Sequence, residues 1–296
     1  MVAEKRKRVV VVGGAARDLA LGVADMPEAN GTAPVSRRKE RLGGKGANIA
    51  ADVRQLNPDC AVSLIAVLGS DRAGDAVHED ALDLRIDMAS MQRRGRTALM
   101  IDVVTESGER RVFEHTPPEA RLTVEDVTAA ETMLSEARIV VLQLHQPAEA
   151  LVRAAELAPD AVIVLDGGAD GADAERLLSL AHVVRANAEE AEMLARRSIS
   201  DMNDAMRSAA ELLDRGPDVV CLAVSGSGDL VAWQGGSQFF PFGETSIVDR
   251  TGAGDAYVAG LVTGLLRGET PPQLGERASS AAAIAVQQFG GFTRFA

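Results

Sequence analysis

The 296-residue chain contains only two cysteines, Cys60 and Cys221, and each lies within an apolar stretch. Free cysteine is among the residue types most often buried, and disulfides are rare in reducing compartments. The sequence therefore predicts two buried free thiols and no disulfide.

No apolar run approaches the roughly 20 residues that a membrane-spanning helix requires. The basic segment in "MVAEKRKRVVVVGG" is followed by only a short apolar run, Val9–Val12, whereas the apolar core of a signal peptide takes roughly 7–15 residues. These absences predict a cytoplasmic protein with no membrane segment, in which the basic segment is a solvated chain end.

Positive charge is in deficit, with 31 Lys and Arg against 43 Asp and Glu and a net charge of −12. Nucleic-acid binding depends on Lys and Arg that neutralise phosphates, so the sequence argues against such a partner. A small anionic ligand in a cleft remains compatible with this charge, because a few donors suffice to bind it. The length allows one large α/β domain or two smaller ones.

Short apolar runs alternate with Ala- and Leu-rich stretches of helical periodicity. The runs expected to be strands are Val9–Val12, Val62–Gly69, Arg138–Leu144, Ala161–Gly168, His182–Asn187 and Val219–Gly226. The stretches expected to be helices are Ala47–Leu56, Ala73–Leu84, Ala148–Leu157, Asp173–Ala181, Ala188–Arg196, Asp204–Leu213, Asp255–Leu266 and Glu276–Gln287. Continuously apolar strands are typical of a parallel sheet covered on both faces. The alternation therefore predicts an α/β fold, a three-layer αβα sandwich with a mostly parallel central sheet.

Two segments depart from this alternation. Thr97–His115 alternates apolar and polar residues around a turn signal at residues 106–109, which predicts a β-hairpin. Leu21–Leu42 is polar and lacks helical periodicity. We expect both segments to form a small flap of extended structure outside the main sheet, appended to a single domain that spans residues 1–296.

The stretch "LGGKGANIAADV", Leu42–Val53, leads from a glycine pair into a predicted helix. It lacks the spacing of a Walker A loop, and neither it nor "VVGGAARD" supplies a dinucleotide-binding fingerprint. A glycine pair allows the backbone to approach a ligand closely, and Asn48 offers both donors and an acceptor. The residues alone leave open a simple helix start or a ligand contact.

In "RANAEEAEML", Asn187 and Glu190 lie three residues apart at a predicted helix start. They could form a capping box, with Asn187 as the N-cap. They could also organise water around a divalent metal, since Mg²⁺ keeps several waters and needs few protein oxygens.

The stretch "SIVDRTGAGDAYVAGLVTGLL", Ser246–Leu266, reads as a strand ending near Val248, a flexible turn at 251–254 and a helix starting near Asp255. The first amides of a helix have no internal partner and carry the positive end of its dipole. Asp255 could simply satisfy that dipole. It could also be a general base beside an anion hole, taking a proton from a hydroxyl as a phosphoryl group arrives.

Together these stretches resemble the ribokinase-like, or PfkB, family of carbohydrate kinases. The matches are "GGKGAN" at Gly43–Asn48, the Asn-x-x-Glu pair of Asn187 and Glu190, and "DRTGAGDAYVAG" at Asp249–Gly260. The match extends to "VLGSDRAGDAV" at Val67–Val77 and to the order of elements over essentially the whole chain.

For phosphoryl transfer, the resemblance implies that Asp255 is the catalytic base. The anion-hole amides would come from the three residues before it, Gly252, Ala253 and Gly254. Asn187 and Glu190 would place Mg²⁺, through water, and the phosphates of ATP.

For the ligands, the resemblance implies further contacts. The residues on the sugar side are Asp18, Gly44, Lys45, Asn48 and His145, and those of the nucleotide loop are Ser225, Gly226 and Gly228. Asp249, with Gly290 and Gly291, lies where ribokinases bind an activating monovalent cation such as K⁺. The two flap segments correspond to a β-lid, which in ribokinases also forms the contact of a homodimer.

The chain departs from the family pattern at several positions. Ala16 replaces an asparagine two residues before Asp18, and His145 replaces the glutamate that contacts ribose. Ser225 replaces the first glycine of the nucleotide loop, and Arg250 replaces the signature threonine. The usual Pro-Asn-Glu is also altered, to residues 186–188 "ANA". Two of these changes fall on the sugar side, so the reaction is better supported than the substrate.

Three hypotheses follow. The favoured one is an ATP-dependent kinase that phosphorylates a primary hydroxyl of a sugar. The second is a kinase of the same family acting on a nucleoside such as pseudouridine, or on another small polyol. The third is a non-catalytic sugar-binding protein on the kinase scaffold, against which Asp255 and the metal motif argue, since binding alone needs neither.

Overall fold

The computed structural model describes residues 8–243 and 246–295. Residues 1–7 of the predicted solvated chain end lie outside the described residues, whereas Arg8, the last residue of the basic run, begins the first strand and pairs with Asp87 at 3.1 Å. Within the described ranges, no helix has the length and apolar character needed to cross a bilayer. Cys60 and Cys221 are both buried, as predicted, and neither forms a disulfide within the described residues.

An eight-stranded sheet forms the centre of the molecule, with its strands numbered in chain order. Its members are β1 (Arg8–Val12), β4 (Ala61–Ile65), β9 (Ile139–Gln143), β10 (Val162–Asp166), β11 (Val183–Ala186), β12 (Val219–Val224), β13 (Gly228–Trp233) and β14 (Gly236–Pro241). The spatial order is β14-β13-β12-β11-β10-β9-β1-β4. In this spatial order, six neighbouring strands pair in parallel, namely β12, β11, β10, β9, β1 and β4. The edge hairpin β13–β14 is antiparallel and was not predicted.

Helices cover both faces of this sheet. They are α1 (Lys45–Leu56), α2 (Arg72–Asp83), α3 (Val124–Thr128), α4 (Glu131–Ser135), α5 (Ala148–Glu156), α6 (Gly171–Leu180), α7 (Ala188–Ala195), α8 (Met202–Leu213), α9 (Ala253–Arg267) and α10 (Pro271–Ala285), with a short 3-10 helix at Pro118–Ala120. Val10 and Val12 of β1 belong to one core cluster, whereas Val9 and Val11 belong to the cluster on the opposite face. Burial on both faces explains the continuous apolar runs and confirms the α/β sandwich.

A separate four-stranded sheet holds both predicted flap segments. It consists of β2 (Ala16–Val23), β3 (Val35–Gly43), β7 (Ala98–Thr105) and β8 (Arg110–His115), in the order β3-β2-β7-β8. The predicted hairpin is β7–β8. The first flap segment begins at Ala16 rather than at residue 21, so Asp18 lies on a flap strand. A further two-stranded ladder joins β5 (Val67–Leu68) to β6 (Gln92–Arg93).

Three predicted element boundaries were wrong. No strand ends near Val248, because residues 246–252 form a loop in which the amides of Val248 and Asp249 both donate to the carbonyl of Val286. The apolar run Val62–Gly69 is not one strand, since it breaks at Ala66 between β4 and β5. The last helix begins at Pro271, where Thr270 and Gln273 form a capping box, five residues before the predicted start.

Candidate active site

The candidate site lies where the parallel strands of the central sheet end, which is where α/β folds generally bind ligands. The three motif stretches lie far apart in the sequence and meet here through direct side-chain contacts. Asn48 of α1 contacts Asp255 of α9, and Lys45 of α1 contacts Glu190 of α7.

The turn before α9 depends on glycine. Gly252 has φ +80° and is the N-cap of the helix, so it provides no capping side chain. A side chain there would collide with the carbonyl of Gly291. Ala253 N donates to the carbonyl of Arg250 at 3.4 Å, so Gly254 and Asp255 contribute the next amides of the first turn. Helix N-termini of this kind attract anions.

The Asp255 carboxylate is buried in the first turn of α9 and does not cap the helix. Its Oδ2 accepts a hydrogen bond from Asn48 Nδ2 at 3.1 Å. Burial raises the pKa of Asp255 to about 7, against the lowering effects of the nearby Lys45 charge and the Asn48 hydrogen bond. A carboxyl that titrates near neutrality is suited to accept a proton from a hydroxyl.

Glu190 takes part in two sets of contacts. It forms the capping box of α7 with Asn187, since each side chain accepts from the other residue's amide at 2.9 Å. The capping box, one of the two alternatives that the sequence left open for this pair, is therefore present in the structure. Glu190 Oε1 also accepts from Lys45 Nζ at 2.9 Å. Burial raises the pKa of Glu190, but Lys45, Arg185 and the Asn187 amide outweigh it, and the net shift is downward. Glu190 is thus a buried carboxylate that keeps its charge.

Sequence reasoning missed an ion pair at the centre of this cluster, between Arg185 of β11 and Asp166 of β10. The Arg185 Nη1 to Asp166 Oδ1 distance is 3.2 Å, and Nη1 lies 3.8 Å from Glu190 Oε2. The guanidinium also lies against Gly254, because a Cβ added there would come within 2.8 Å of both terminal nitrogens. Arg185 therefore brings a positive charge to the turn before Asp255. Its position at the carboxyl end of a predicted strand was the available signal.

A cavity of about 220 Å³ lies beside Lys45, between the central sheet and the flap sheet. Its lining includes Gly44, Gln143, His145 and Gln146, and Ala16 replaces a possible donor there. The side chains of Gln143 and His145 hydrogen bond to each other. Of the predicted sugar-side residues, Gly44, Lys45 and His145 thus line one cavity. His115, at the end of β8, does not line it.

Asp18 lies outside that cavity, in a small gap of about 10 Å³ with Arg41, Asp102 and Thr251. Asp18 and Arg41 are directly opposite in the β2–β3 ladder. Burial raises the pKa of Asp18 to about 6, although Arg41 acts to lower it. Its Oδ1 is buried without a hydrogen-bond partner, so the structure leaves this acceptor available.

A second cavity of about 300 Å³ adjoins the N-terminus of α9. Gly226, Arg250 and Ala253 line it together with residues of α10. Ser225 is exposed in the same β12–β13 turn, whereas Gly228 is buried as the first residue of β13. The predicted nucleotide loop therefore contributes to a cavity that adjoins the predicted anion hole.

The Asp249 side chain holds the turn before α9 through hydrogen bonds. Its Oδ2 accepts from the amide of Gly290 at 2.8 Å, and its Oδ1 accepts from the amide and hydroxyl of Thr251 at 2.9 and 2.6 Å. The Thr251 hydroxyl also lies 2.5 Å from Asp102 Oδ2 on the flap strand β7. Asp102 in turn accepts from Arg110 of β8 at 2.9 Å. These contacts connect the turn before α9 to the flap sheet.

The residues around the turn can be tested for a divalent metal. No group of three or more His, Cys, Asp or Glu side chains suited to a metal occurs in residues 8–243 and 246–295. Asp166 Oδ2, however, is buried and has no hydrogen-bond partner. The Glu190 carboxylate lies near Asp166, because Arg185 Nη1 is 3.2 Å from Asp166 Oδ1 and 3.8 Å from Glu190 Oε2. Mg²⁺ commonly uses one or two protein carboxylates together with substrate phosphates. Asp166 Oδ2 therefore fits Mg²⁺ that arrives with a nucleotide, whereas both Glu190 oxygens already accept from Lys45 and Asn187 and would reach the ion through water.

Comparison with known proteins shows the family of this chain. The profile of the pfkB family carbohydrate kinases matches residues 6–294. A ribokinase of Haemophilus influenzae is 26% identical over 292 residues, which cover 96% of this chain and 94% of that protein. An ATP-dependent ribose-1-phosphate kinase of Halopiger xanaduensis is 28% identical, with 86% of this chain and 83% of that protein covered.

The fold has a counterpart among solved structures. The structure of Arabidopsis thaliana ribokinase complexed with ribose and ATP superposes with a TM-score of 0.79 at 22% identity. The superposition covers 97% of this chain and 95% of that one. The α/β sandwich with its small second sheet is therefore the ribokinase fold.

Proposed function

Since this chain belongs to the pfkB family of carbohydrate kinases and is an ATP-dependent sugar kinase, we propose that it phosphorylates a primary hydroxyl of a free monosaccharide, with Asp255 as the general base. The observation that carries this proposal is the buried Asp255 carboxylate in the first turn of α9. Its pKa of about 7 lets it accept a proton at neutral pH.

In the proposed reaction, the sugar hydroxyl gives its proton to Asp255 as its oxygen attacks the γ-phosphorus of ATP, and ADP leaves. Phosphoryl transfer depends mainly on positioning and on neutralising charge. The amides of Gly254 and Asp255 face the incoming phosphoryl group at the positive end of the helix dipole. Asn48 orients the Asp255 carboxylate through its hydrogen bond.

Two cationic side chains complete this proposed phosphate site. Arg185 lies against Gly254, so its guanidinium is placed to bind the oxygens of the transferring group. Arginine in this role stabilises the transition state of phosphoryl transfer. Lys45 lines the sugar cavity and pairs with Glu190, so we assign it to the sugar side of the transferred group.

Asp166 would hold Mg²⁺ directly and Glu190 through water, with Asn187 setting the position of Glu190 through the capping box. When bound with ATP, Mg²⁺ would neutralise part of the charge on the phosphates. The nucleotide is assigned to the cavity of about 300 Å³ that Gly226 and Ala253 line. The two ligands are thereby assigned to separate cavities.

The size of the other cavity favours a monosaccharide over a nucleoside. Pockets for drug-sized ligands are usually about 300–1,000 Å³, and the cavity beside Lys45 measures about 220 Å³. Its amide and imidazole side chains, Gln143, His145 and Gln146, can exchange hydrogen bonds with sugar hydroxyls. The proposed lid is the flap sheet, which would exclude water when it closes over the sugar.

We further propose a homodimer formed through the flap sheet. Its two edge strands, β3 and β8, carry exposed apolar side chains, namely Val35, Val112 and Phe113. Exposed apolar patches on sheet edges favour association.

The experiment that tests the proposed function is a substrate panel with Mg²⁺–ATP and ADP release as the readout. The panel contains ribose, fructose, ribose 1-phosphate, adenosine and pseudouridine. We expect a free monosaccharide to give the highest kcat/KM. Turnover of adenosine or pseudouridine without ribose or fructose would show that the substrate is a nucleoside instead.

A further inference from the structure

Side chains of the flap strand β3 bind the chain segment that follows α10. This segment, residues 286–293, is called the C-terminal loop below. Because side chains alternate along a strand, Arg37, Lys39 and Arg41 share one face of β3. Lys39 Nζ donates to the carbonyl of Phe289 at 3.0 Å, and Arg41 Nη1 to that of Phe292 at 3.4 Å. The guanidinium of Arg37 stacks 4.3 Å from the centre of the Phe289 ring.

The C-terminal loop and Asp249 are where the family resemblance implies an activating monovalent cation, so the residues can be tested for that ion. Potassium sites are built from backbone carbonyl and other oxygen atoms. Here both Asp249 oxygens accept hydrogen bonds, from Gly290 and from Thr251. The loop carbonyls of Phe289 and Phe292 accept from the ammonium of Lys39 and the guanidinium of Arg41. These oxygens are already engaged by the protein's own donors.

A positive charge is also present at this position. Arg41 Nη2 is buried, has no hydrogen-bond partner and would lie 2.6 Å from a Cβ added to Gly290. Burial lowers the pKa of Arg41, while the charges of Asp18, Asp249 and Asp52 act to raise it. The guanidinium therefore lies among three acidic groups beside the loop. A second cation placed there would be repelled by this like charge. The set of residues does not fit an added monovalent ion.

The C-terminal loop packs directly against the turn before α9. Gly252, the N-cap of α9, packs on the carbonyl of Gly291, one residue from the Phe292 carbonyl that Arg41 holds. On the other side, Thr251 hydrogen bonds to Asp102 of the flap sheet. A fixed charge on β3 can thus hold the loop, and through the loop the turn, in one arrangement.

We propose that Arg41 is a built-in cation that replaces the monovalent ion and makes the enzyme independent of K⁺. Arg41 is a positioning residue in this account, since it acts through the C-terminal loop and not on the reacting atoms. The catalytic part of the proposal rests on the proposed function, whereas the absence of K⁺ binding does not.

The first experiment measures thermal unfolding of the full chain in KCl, NaCl and choline chloride at equal ionic strength, without substrate. We expect no K⁺-specific stabilisation of the wild-type protein. Specific stabilisation by K⁺ would overturn the proposal, whether or not a sugar substrate has been found. Because this readout needs no turnover, it separates failure of this proposal from failure of the proposed function.

The second experiment uses Arg41→Met, which keeps an unbranched side chain but removes the charge. With the sugar and ATP saturating, we expect the wild-type rate to be equal in KCl and choline chloride. The variant should lose activity in choline chloride and recover about fivefold or more in KCl, the range of a typical coupling between sites. Wild-type activation by K⁺, or a folded variant indifferent to K⁺, would contradict the proposal.

Two further variants keep this test decisive. Arg41→Lys retains a positive charge and should remain independent of K⁺, and a K⁺ requirement in it would count against a role for the charge. Arg38→Ala is the matched control, because Arg38 is exposed on the opposite face of β3, where its guanidinium pairs with Glu40. It should behave as wild type in every salt.

Discussion

Replacement of Asp255 by asparagine removes the proposed base while keeping the shape of the side chain and a partner for Asn48. General base catalysis typically contributes about 10²–10⁴-fold, so we expect kcat to fall by on the order of 10²-fold or more. ATP binding should be retained, because the turn and the second cavity do not depend on the Asp255 charge. In the wild-type enzyme, kcat/KM should rise with pH through a midpoint near the Asp255 pKa of about 7, because kcat/KM reports the ionisation of the free enzyme.

The same substitution should stabilise the ligand-free protein at neutral and alkaline pH. Burial raises the Asp255 pKa from its ordinary 3.8 to about 7, which corresponds to about 4 kcal/mol. Because the folded-state pKa is the higher one, this stability is present in the wild type below about pH 4. It is lost as the pH rises toward 7. Asparagine does not ionise, so the advantage of Asp255→Asn should grow over that interval and then level off.

Urea unfolding of both proteins at several pH values, paired with initial rates of ADP release, measures both effects. Glu276→Gln on the exposed surface of α10 is the control and should alter neither the rate nor the pH dependence. Near-wild-type turnover by Asp255→Asn would refute the assigned base. Equal stability of the two proteins from pH 4 to pH 8 would refute the buried, raised-pKa carboxyl.

Three other changes test separate parts of the account. Lys45→Met removes the positive charge that lowers the Asp255 pKa most, so the acid limb of the kcat/KM–pH profile should move to higher pH; an unmoved limb would exclude this coupling. Arg185→Lys keeps the charge opposite Asp166 but loses the planar guanidinium. It should lower kcat about tenfold or more with little change in the KM for the sugar. An effect on stability alone would show that the role of Arg185 is structural. Phe113→Asp should convert the proposed dimer to a monomer in light scattering, and an unchanged mass would place the contact elsewhere.

Much of the central fold could be predicted because its signals are local. Runs such as Val9–Val12 are apolar at every position, which only a sheet covered on both faces requires. The edge hairpin β13–β14 was missed because β14 is largely exposed and its sequence carries little apolar pattern. The loop at 246–252 was mistaken for a strand end, since its shape depends on hydrogen bonds to Val286, distant in sequence.

The candidate site shows the same division. Asp255, Asn48, Lys45 and Glu190 could be selected from motifs, and the structure brings them into contact in pairs. Arg185 could not be selected in this way, because its importance comes from Gly254 and Asp166, which only the folded sheet places beside it. The ties of the turn to the flap sheet likewise join residues about 150 positions apart, and no local pattern predicts them.

We propose that Asp255 is the general base in phosphoryl transfer from ATP to a primary sugar hydroxyl. It is tested most directly by phosphorus NMR of the product that wild type and Asp255→Asn form from the preferred sugar. The account predicts that the wild type gives a phosphomonoester signal split by the two protons of a CH₂ group, and that the variant gives almost none in the same time. A signal coupled to a single proton, or equal product from both proteins, would contradict it.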